Sequence, residues 1–434
     1  MARCFRATLT SFIFIISSLS LTCSFYIASN VARSTARFSH DMGRHSIRLK
    51  SKVNNWIESF LILQQPKGVS LQYIRSLVEK QNLTNFTVVL TGACGGIGSA
   101  IVDVVLALDG NVVAIDFDDE ALMLLQQKNP GKIITYVSDF RDLESVSLVA
   151  QSISDKVSRV DILVNNAGIC YLLEDTELEK AGASKQGYDN CFQINYLSHF
   201  LLTEKLLDKI DPLNGRVVQV TSGMSWCVDG KALIPSNGKC HDPAASRSDD
   251  TRLQRHISAA YGNTKLAQIW HAAMLNKSGR ATVVCACPSW AATSIAGRNT
   301  DEMATLEKLA FSTRPQNNEE IAGPGIRSTL NAMFLPRTDM SPELLSCEQS
   351  IGNSKVLGWI FTDNNKPNPV LTSDIVVTYG REKLVKLVAS VIVLIFQRWA
   401  HEDFILQDNS FESLNQKGQV KLYEWSLRAI QAYR

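Results

Sequence analysis

From Phe86 to Pro288 the chain alternates short apolar runs, rich in β-branched residues, with segments of helical length. The runs are "FTVVLTG" from Phe86, "GNVVAIDFD" from Gly110, "KIITYVSD" from Lys132, "VDILVNNAG" from Val160, "GRVVQVTS" from Gly215 and "RATVVCACP" from Arg280. Stretches such as "VVAI" and "ATVVCA" are continuously apolar rather than alternating, as expected of strands covered on both faces. The pattern predicts an α/β fold of Rossmann type, a doubly wound parallel sheet spanning residues 84–300. Ahead of it, Leu71, Ile74, Leu77 and Val78 fall on one face of a short helix. A helix from about Gly187 to Ile210 carries Phe192, Ile194, Leu197, Phe200, Leu201, Leu202, Leu206 and Leu207. So apolar a helix is either deeply buried or a helix-to-helix face for a homodimer. Beyond Thr293 the alternation fades, and residues 301–434 read as an extended C-terminal region on the substrate side.

The N-terminal pattern is different. From Ala7 to Ala32 there is no charged residue, while Phe12, Ile13, Phe14, Ile15, Ile16, Leu19, Leu21, Phe25, Tyr26 and Ile27 make the segment apolar. About 20 mostly apolar residues suffice to cross a bilayer. Residues 1–33 are therefore expected to form a single-pass membrane anchor, followed by a basic linker over 34–83, with a cleaved signal as the alternative. Arg33, Arg37, Arg44, Arg48, Lys50 and Lys52 outnumber Arg3 and Arg6 ahead of the segment. That bias places the bulk of the chain on the cytoplasmic face, at the endoplasmic reticulum, with mitochondrial or plastid import as the rival. The run Leu387 to Phe396 is too short for a second span.

Composition narrows the functional classes. Lys and Arg number 44 against 42 Asp and Glu, leaving a formal charge of +2 and no basic footprint for nucleic acid. The ten cysteines show neither paired CxxC spacing nor histidines at metal-ligand intervals, so reduced thiols and no metal are expected.

The first predicted strand ends in Thr91-Gly92-Ala93-Cys94-Gly95-Gly96-Ile97-Gly98, and a helix follows directly. In that setting Gly92 allows the tight turn, Gly96 admits a pyrophosphate, and Gly98 lets helix and strand pack closely. Asp116 ends the second strand, 24 residues after Gly92, where an acid accepts bonds from an adenosine ribose and repels a 2′-phosphate. With no Arg or Lys beside it, NAD is expected rather than NADP. Further on, "SAAYGNTKLA" from Ser258 sets Tyr261 and Lys265 four residues apart on one helix face. An ammonium so placed is expected to stabilise a phenolate and lower the tyrosine pKa.

These landmarks, with Asn165-Asn166-Ala167-Gly168 after the fourth strand and Ser222 at the end of the fifth, resemble the short-chain dehydrogenase/reductase family. The stretch from Gln186 to Thr203 is similar to its retinol dehydrogenase and WW-domain oxidoreductase branch, and to a related stretch of protochlorophyllide reductase. The resemblance implies that Tyr261 is the acid/base and that Lys265 tunes it and holds the nicotinamide ribose. It likewise implies that Ser222 bonds the substrate oxygen and Asn195 supports a proton relay. Asp139 would contact adenine, Asn165, Ala167 and Gly168 would line the cofactor, and Pro288 and Thr293 would border the nicotinamide. The chain departs from the family at Pro288-Ser289-Trp290, where Pro-Gly is usual.

The expected function is thus an alcohol–carbonyl oxidoreductase with a small lipophilic substrate such as a retinoid, steroid or other lipid. Two alternatives stand beside it: a catalytically weak, cofactor-sensing interaction protein on the same fold, and a protochlorophyllide reductase-like plastid enzyme. The interval between Ser222 and Tyr261, with Trp226, His241 and a charged stretch, is expected to form a lid or substrate wall.

Overall fold

A computed structural model describes residues 68–81, 83, 85–170, 184–211, 214–228, 230–233, 258–288, 291, 293, 295, 312–352, 362–363, 366–367, 405–408 and 411–434. The anchor expected at 1–33, the linker up to residue 67, the lid over 234–257 and the run Leu387 to Phe396 lie outside these residues. Among the described residues no helix is long and apolar enough to cross a membrane.

All six apolar runs become strands: β1 (Thr87–Thr91), β2 (Asn111–Asp116), β3 (Ile133–Val137), β4 (Ile162–Asn165), β5 (Arg216–Val220) and β6 (Val283–Cys287). Two more follow, β7 (Gln349–Gly352) and β8 (Ile405–Asp408). The eight lie in one sheet in the order β8-β7-β6-β5-β4-β1-β2-β3. Strands β1 to β7 run parallel, and β8 pairs antiparallel with β7, Gln349 opposite Asp408. Strand order reverses between β1 and β4, so the connections after these two strands diverge and leave a crevice at their carboxyl ends.

Helices cover both faces. On one side pack α1 (Leu71–Lys80), α2 (Gly96–Ala107), α3 (Asp119–Lys128) and α7 (Arg327–Phe334) around Val88, Leu90, Ile101, Val164, Val218 and Phe334. On the other pack α4 (Leu143–Lys156), α5 (190–206), α6 (Ser258–Ser278) and α8 (Gln416–Ala429) around Val89, Leu163, Phe200 and Trp270. Burying each such side chain contributes about 1.5–3 kcal/mol, the main favourable term in holding the layers. Helix α1 belongs to this unit: buried Arg216 donates from Nη2 to Gln81 Oε1 at 2.7 Å and from Nη1 to the Leu335 carbonyl at 2.5 Å.

Two expectations change. Residues 301–434 are in part core rather than a substrate-side extension, since β7 and β8 complete the sheet and α8 packs against α6 and α5. Their apolar runs are too short and too far apart to announce strands that pair only with β6 and each other. The long apolar helix, α5, starts at Asn190 rather than near Gly187, because Gly187 has φ +81° and Asp189 caps the Phe192 amide. It runs through Asn190–Phe192, a π-helical turn Gln193–Leu197 and Ser198–Leu206. Of the two readings of its apolar face, burial within the chain is the one the packing supports. Phe192 lies 6.0 Å from the Trp425 ring and Phe200 5.4 Å from Tyr423, both on α8.

Candidate active site

The crevice begins with a cradle of small residues. Gly92 has φ +65°, a conformation side chains resist, and a Cβ there would come within 2.9 Å of Ala167 Cα. Gly96 faces Thr293, whose Cγ2 would be 2.9 Å from an added Cβ. Helix α2 starts at Gly96 with Gly95 as N-cap and no side-chain cap, so its first-turn amides and dipole face the crevice. A diphosphate group fits this cradle. Thr293 thus borders the glycine loop itself, while buried Pro288 closes the end of β6.

Asp116 is 7% exposed at the end of β2. Its Oδ2 accepts from the Cys94 amide at 2.8 Å, and its Oδ1 accepts from the Phe117 and Asp118 amides at 2.8 and 3.3 Å. The carboxylate is therefore fixed against the glycine loop, and Asp118, not Asp116, caps α3. Asp139 is turned outward, where both carboxylate oxygens accept from the Arg141 guanidinium. That pairing holds its pKa down, with burial opposing.

Tyr261 and Lys265 sit one turn apart on α6 and are 9% and 3% exposed. The ammonium lies 5.4 Å from the Tyr261 ring centroid and donates to the Val220 carbonyl at 2.8 Å and to Gln268 Oε1 at 3.0 Å. A Cβ on Gly168 would meet the same Nζ at 3.7 Å, an ordinary contact, and Asn195 Oδ1 at a tighter 3.3 Å. Ser222 lies two residues past the end of β5 and accepts from the Met224 amide at 3.3 Å.

One electrostatic expectation is corrected. Burial pushes the Tyr261 phenol well above its ordinary range, the Cys170 thiol adds to the rise, and a hydrogen bond with Ser222 opposes it. Burial lowers Lys265 to about 8. Burial is the largest cause of the rise, and the Lys265 ammonium directs two of its donors to Val220 and Gln268. At neutral pH Tyr261 is therefore a protonated acid beside a largely charged lysine.

Asn195 lies within the π turn of α5, which gives the helix an extra residue and rotates this side chain toward the crevice. Its Oδ1 accepts from the Ile169 amide at 2.8 Å, and its Nδ2 donates to the Ile169 carbonyl at 2.9 Å and to Thr264 Oγ1 at 3.1 Å. Asn195 thereby pins the segment after β4 beside α6. Its own carbonyl accepts from His199 Nδ1 at 2.9 Å. That contact fixes the tautomer, so His199 Nε2 accepts from Thr91 Oγ1 at 2.8 Å. Thr91 Oγ1 in turn accepts from the Asn166 and Ala167 amides, both at 2.9 Å.

Two residues expected to contact a cofactor are thus turned elsewhere. Thr91 is fully buried and its hydroxyl is saturated, so it aligns β1 with β4 rather than touching a ligand. Asn165 directs Nδ2 to Thr203 Oγ1 at 3.0 Å, inside the α5 layer, and leaves the crevice wall to Ala167 and Gly168. The clamp on the glycine loop is the neighbouring Asn166, whose Nδ2 donates to the Thr91 and Gly92 carbonyls. His199 went unread as a site residue. Its signal was a histidine one turn after Asn195 in an otherwise apolar helix.

Residues 86–230 match the short chain dehydrogenase family. The match runs from the residue before β1 to the segment after β5, and that part of the chain is similar to the short-chain dehydrogenases. Short-chain dehydrogenase/reductase prx1 of Penicillium roqueforti is 27% identical over 231 residues, 50% of this chain and 61% of that protein. Retinol dehydrogenase 13 of Homo sapiens is 32% identical over 136 residues, 30% of this chain and 39% of that protein. A crystal structure of a protein from Mycobacterium Paratuberculosis covers 80% of this chain and 94% of its own at 19% identity, with a TM-score of 0.48.

Proposed function

We propose that this protein is an NAD-dependent oxidoreductase that interconverts an alcohol and a carbonyl on a lipophilic substrate such as a retinoid, steroid or other lipid. The observation that carries the reading is the buried pair Tyr261 and Lys265, one turn apart on α6, with Ser222 hydrogen-bonded to the phenol. The glycine cradle from Gly92 to Gly98 would hold the diphosphate and Asp116 the adenosine ribose. When bound, the nicotinamide supplies the hydride for reduction or accepts it for oxidation. Tyr261, kept protonated by burial, gives its proton to the carbonyl oxygen, and in the reverse direction it takes the proton back. Ser222 holds that oxygen in line, and Lys265 stabilises the phenolate left behind. Asn195 keeps the wall from Ala167 to Cys170 in place.

A lipophilic substrate is supported by the apolar segment Ala7 to Ala32 and by the kinship with a retinol dehydrogenase. The same segment supports membrane association, with the catalytic unit facing the cytoplasm at the endoplasmic reticulum. The test is fluorescence titration of the full chain with NADH and NADPH, then turnover of a panel of lipid aldehydes and ketones by wild type and Tyr261→Phe. The variant should bind NADH as wild type does and lose about 10²–10⁴-fold in kcat. Equal turnover would reject the mechanism, and NADH binding without turnover of any carbonyl would favour a cofactor-sensing protein.

A further inference from the structure

Lys265 is a buried ammonium whose titratable neighbours, among the described residues, are thiols, a phenol and an imidazole rather than carboxylates. The titratable groups facing it are Tyr261 on its own helix, Cys191 and His199 on α5, Cys170 after β4 and Cys287 on β6. Burial pushes the Cys170 and Cys191 thiols up and holds His199 neutral, so none of these three brings a negative charge at neutral pH. The cation rests on two neutral acceptors, the Val220 carbonyl and Gln268 Oε1.

Gln268 is one turn beyond Lys265 on α6 and 1% exposed. Its Nε2 donates to Gln219 Oε1 at 3.3 Å. Gln219 is fully buried in β5, and its cross-strand partner in β4 is Asn165. Among the described residues Gln219 Nε2 is a buried donor without a partner, and Asn165 Oδ1 is a buried acceptor without one. Asn165 Nδ2 donates to Thr203 Oγ1. An ammonium has donors only, so it demands the oxygen end of Gln268. Two amides accordingly point their nitrogens away from the lysine, Gln268 toward Gln219 Oε1 and Asn165 toward Thr203 Oγ1. The two unpartnered atoms are a donor and an acceptor on cross-strand partners of β5 and β4, complementary in kind. Chains of aligned hydrogen-bond dipoles polarise one another in a low-dielectric interior.

We propose that Gln268, Gln219 and Asn165 form a polarised amide ladder that keeps Lys265 charged and fixed beside Tyr261, with Gln268 the positioning residue of that pair. The inference rests on the role given to Lys265 under the proposed function. The ladder explains why three amide side chains are buried between β4, β5 and α6 where apolar residues would pack without leaving unsatisfied groups, each of which costs about 1–3 kcal/mol.

The test follows the Lys265 ammonium directly, by NMR of the full chain labelled with ¹⁵N-lysine, its resonance assigned by loss in Lys265→Met. Wild type should titrate near pH 8. Gln268→Leu removes the acceptor and should lower the midpoint by about one to two pH units. Gln268→Glu keeps the shape, adds a carboxylate, and should raise it. A folded Gln268→Leu with an unmoved midpoint overturns the ladder, as does a Glu variant whose midpoint falls. If the leucine variant does not fold, the glutamate variant decides alone. In an active protein the alkaline limb of kcat/KM, measured with NADH and retinaldehyde, should move with the midpoint. Midpoints that shift as expected in a protein that reduces no carbonyl would uphold the ladder and reject the proposed reaction.

Discussion

Gly98 sits against Gly92 so closely that a Cβ on it would stand 1.9 Å from the Gly92 carbonyl oxygen. The neighbour is backbone and cannot swing aside. Gly98→Ala must displace either the loop or the first turn of α2, and overpacking of this kind costs about 1–3 kcal/mol. The variant is expected to unfold at lower temperature and to lose NADH binding, read by thermal denaturation and fluorescence titration. Gly131→Ala is the control for a glycine at positive φ, since nothing lies within 4 Å of its Cβ position. It should cost stability without touching NADH binding.

The glycine loop was legible because its constraint is local: strand, tight turn and helix occupy adjacent residues, so spacing alone reports the contact between Gly92 and Gly98. The six parallel strands were legible for the same reason, each being a compact apolar run. Strands β7 and β8 were not, because they are stabilised by pairing with segments far away in sequence. The inward turn of Thr91 and Asn165 was hidden as well. Which face of a strand end a side chain takes depends on α5, and α5 contains a π turn that no apolar periodicity reveals. Tyr261 and Lys265 were found by spacing, yet the direction of the phenol's pKa shift depends on burial, which spacing does not carry.

Asp116 is expected to select the cofactor. Its carboxylate is fixed by the Cys94 and Phe117 amides, so a ribose diol meets an oriented acceptor, whereas a 2′-phosphate meets a fixed negative charge. Asp116→Ser should weaken NADH binding about 10–100-fold, the worth of a charged hydrogen bond. The same change should narrow or reverse the preference over NADPH. Parallel titrations with both cofactors read this out, and an unchanged ratio would remove Asp116 from the specificity site.

His199 and His271 should make the fold acid-sensitive. Burial lowers both from 6.5 to about 3, so in the folded protein they stay neutral where the unfolded chain is protonated. Between pH 6.5 and 3 the unfolded state binds more protons, so stability falls as pH falls through that window. Each histidine contributes a slope of about 1.4 kcal/mol per pH unit. Denaturant unfolding at pH 7, 6, 5 and 4 should show this loss. His199→Gln, which can still donate to the Asn195 carbonyl or accept from Thr91, should be less stable at pH 7 but shallower in its pH slope. A slope equal to that of wild type would place the acid sensitivity elsewhere.

Glu204 on α5 is expected to hold α8 in place. Its side chain is fully buried, and its oxygens accept from Arg280 Nη1 at 3.0 Å, from the Tyr423 hydroxyl at 2.9 Å and from Arg434 Nη2 at 3.3 Å. Removing one partner of a fully buried pair costs about 3–5 kcal/mol, because the remaining charge is left uncompensated. Arg280 and Arg434 are 36% and 48% exposed, and water reaches them. The loss in Glu204→Ala should therefore be smaller, on the order of 1–3 kcal/mol. Tyr423 lies on α8, and its ring packs 5.4 Å from Phe200. The weakening should accordingly appear first as detachment of α8, read as faster proteolysis and hydrogen exchange within residues 416–429. Glu204→Gln keeps the shape and an acceptor for Tyr423 but not the charge. It should fall between wild type and the alanine variant in both measurements.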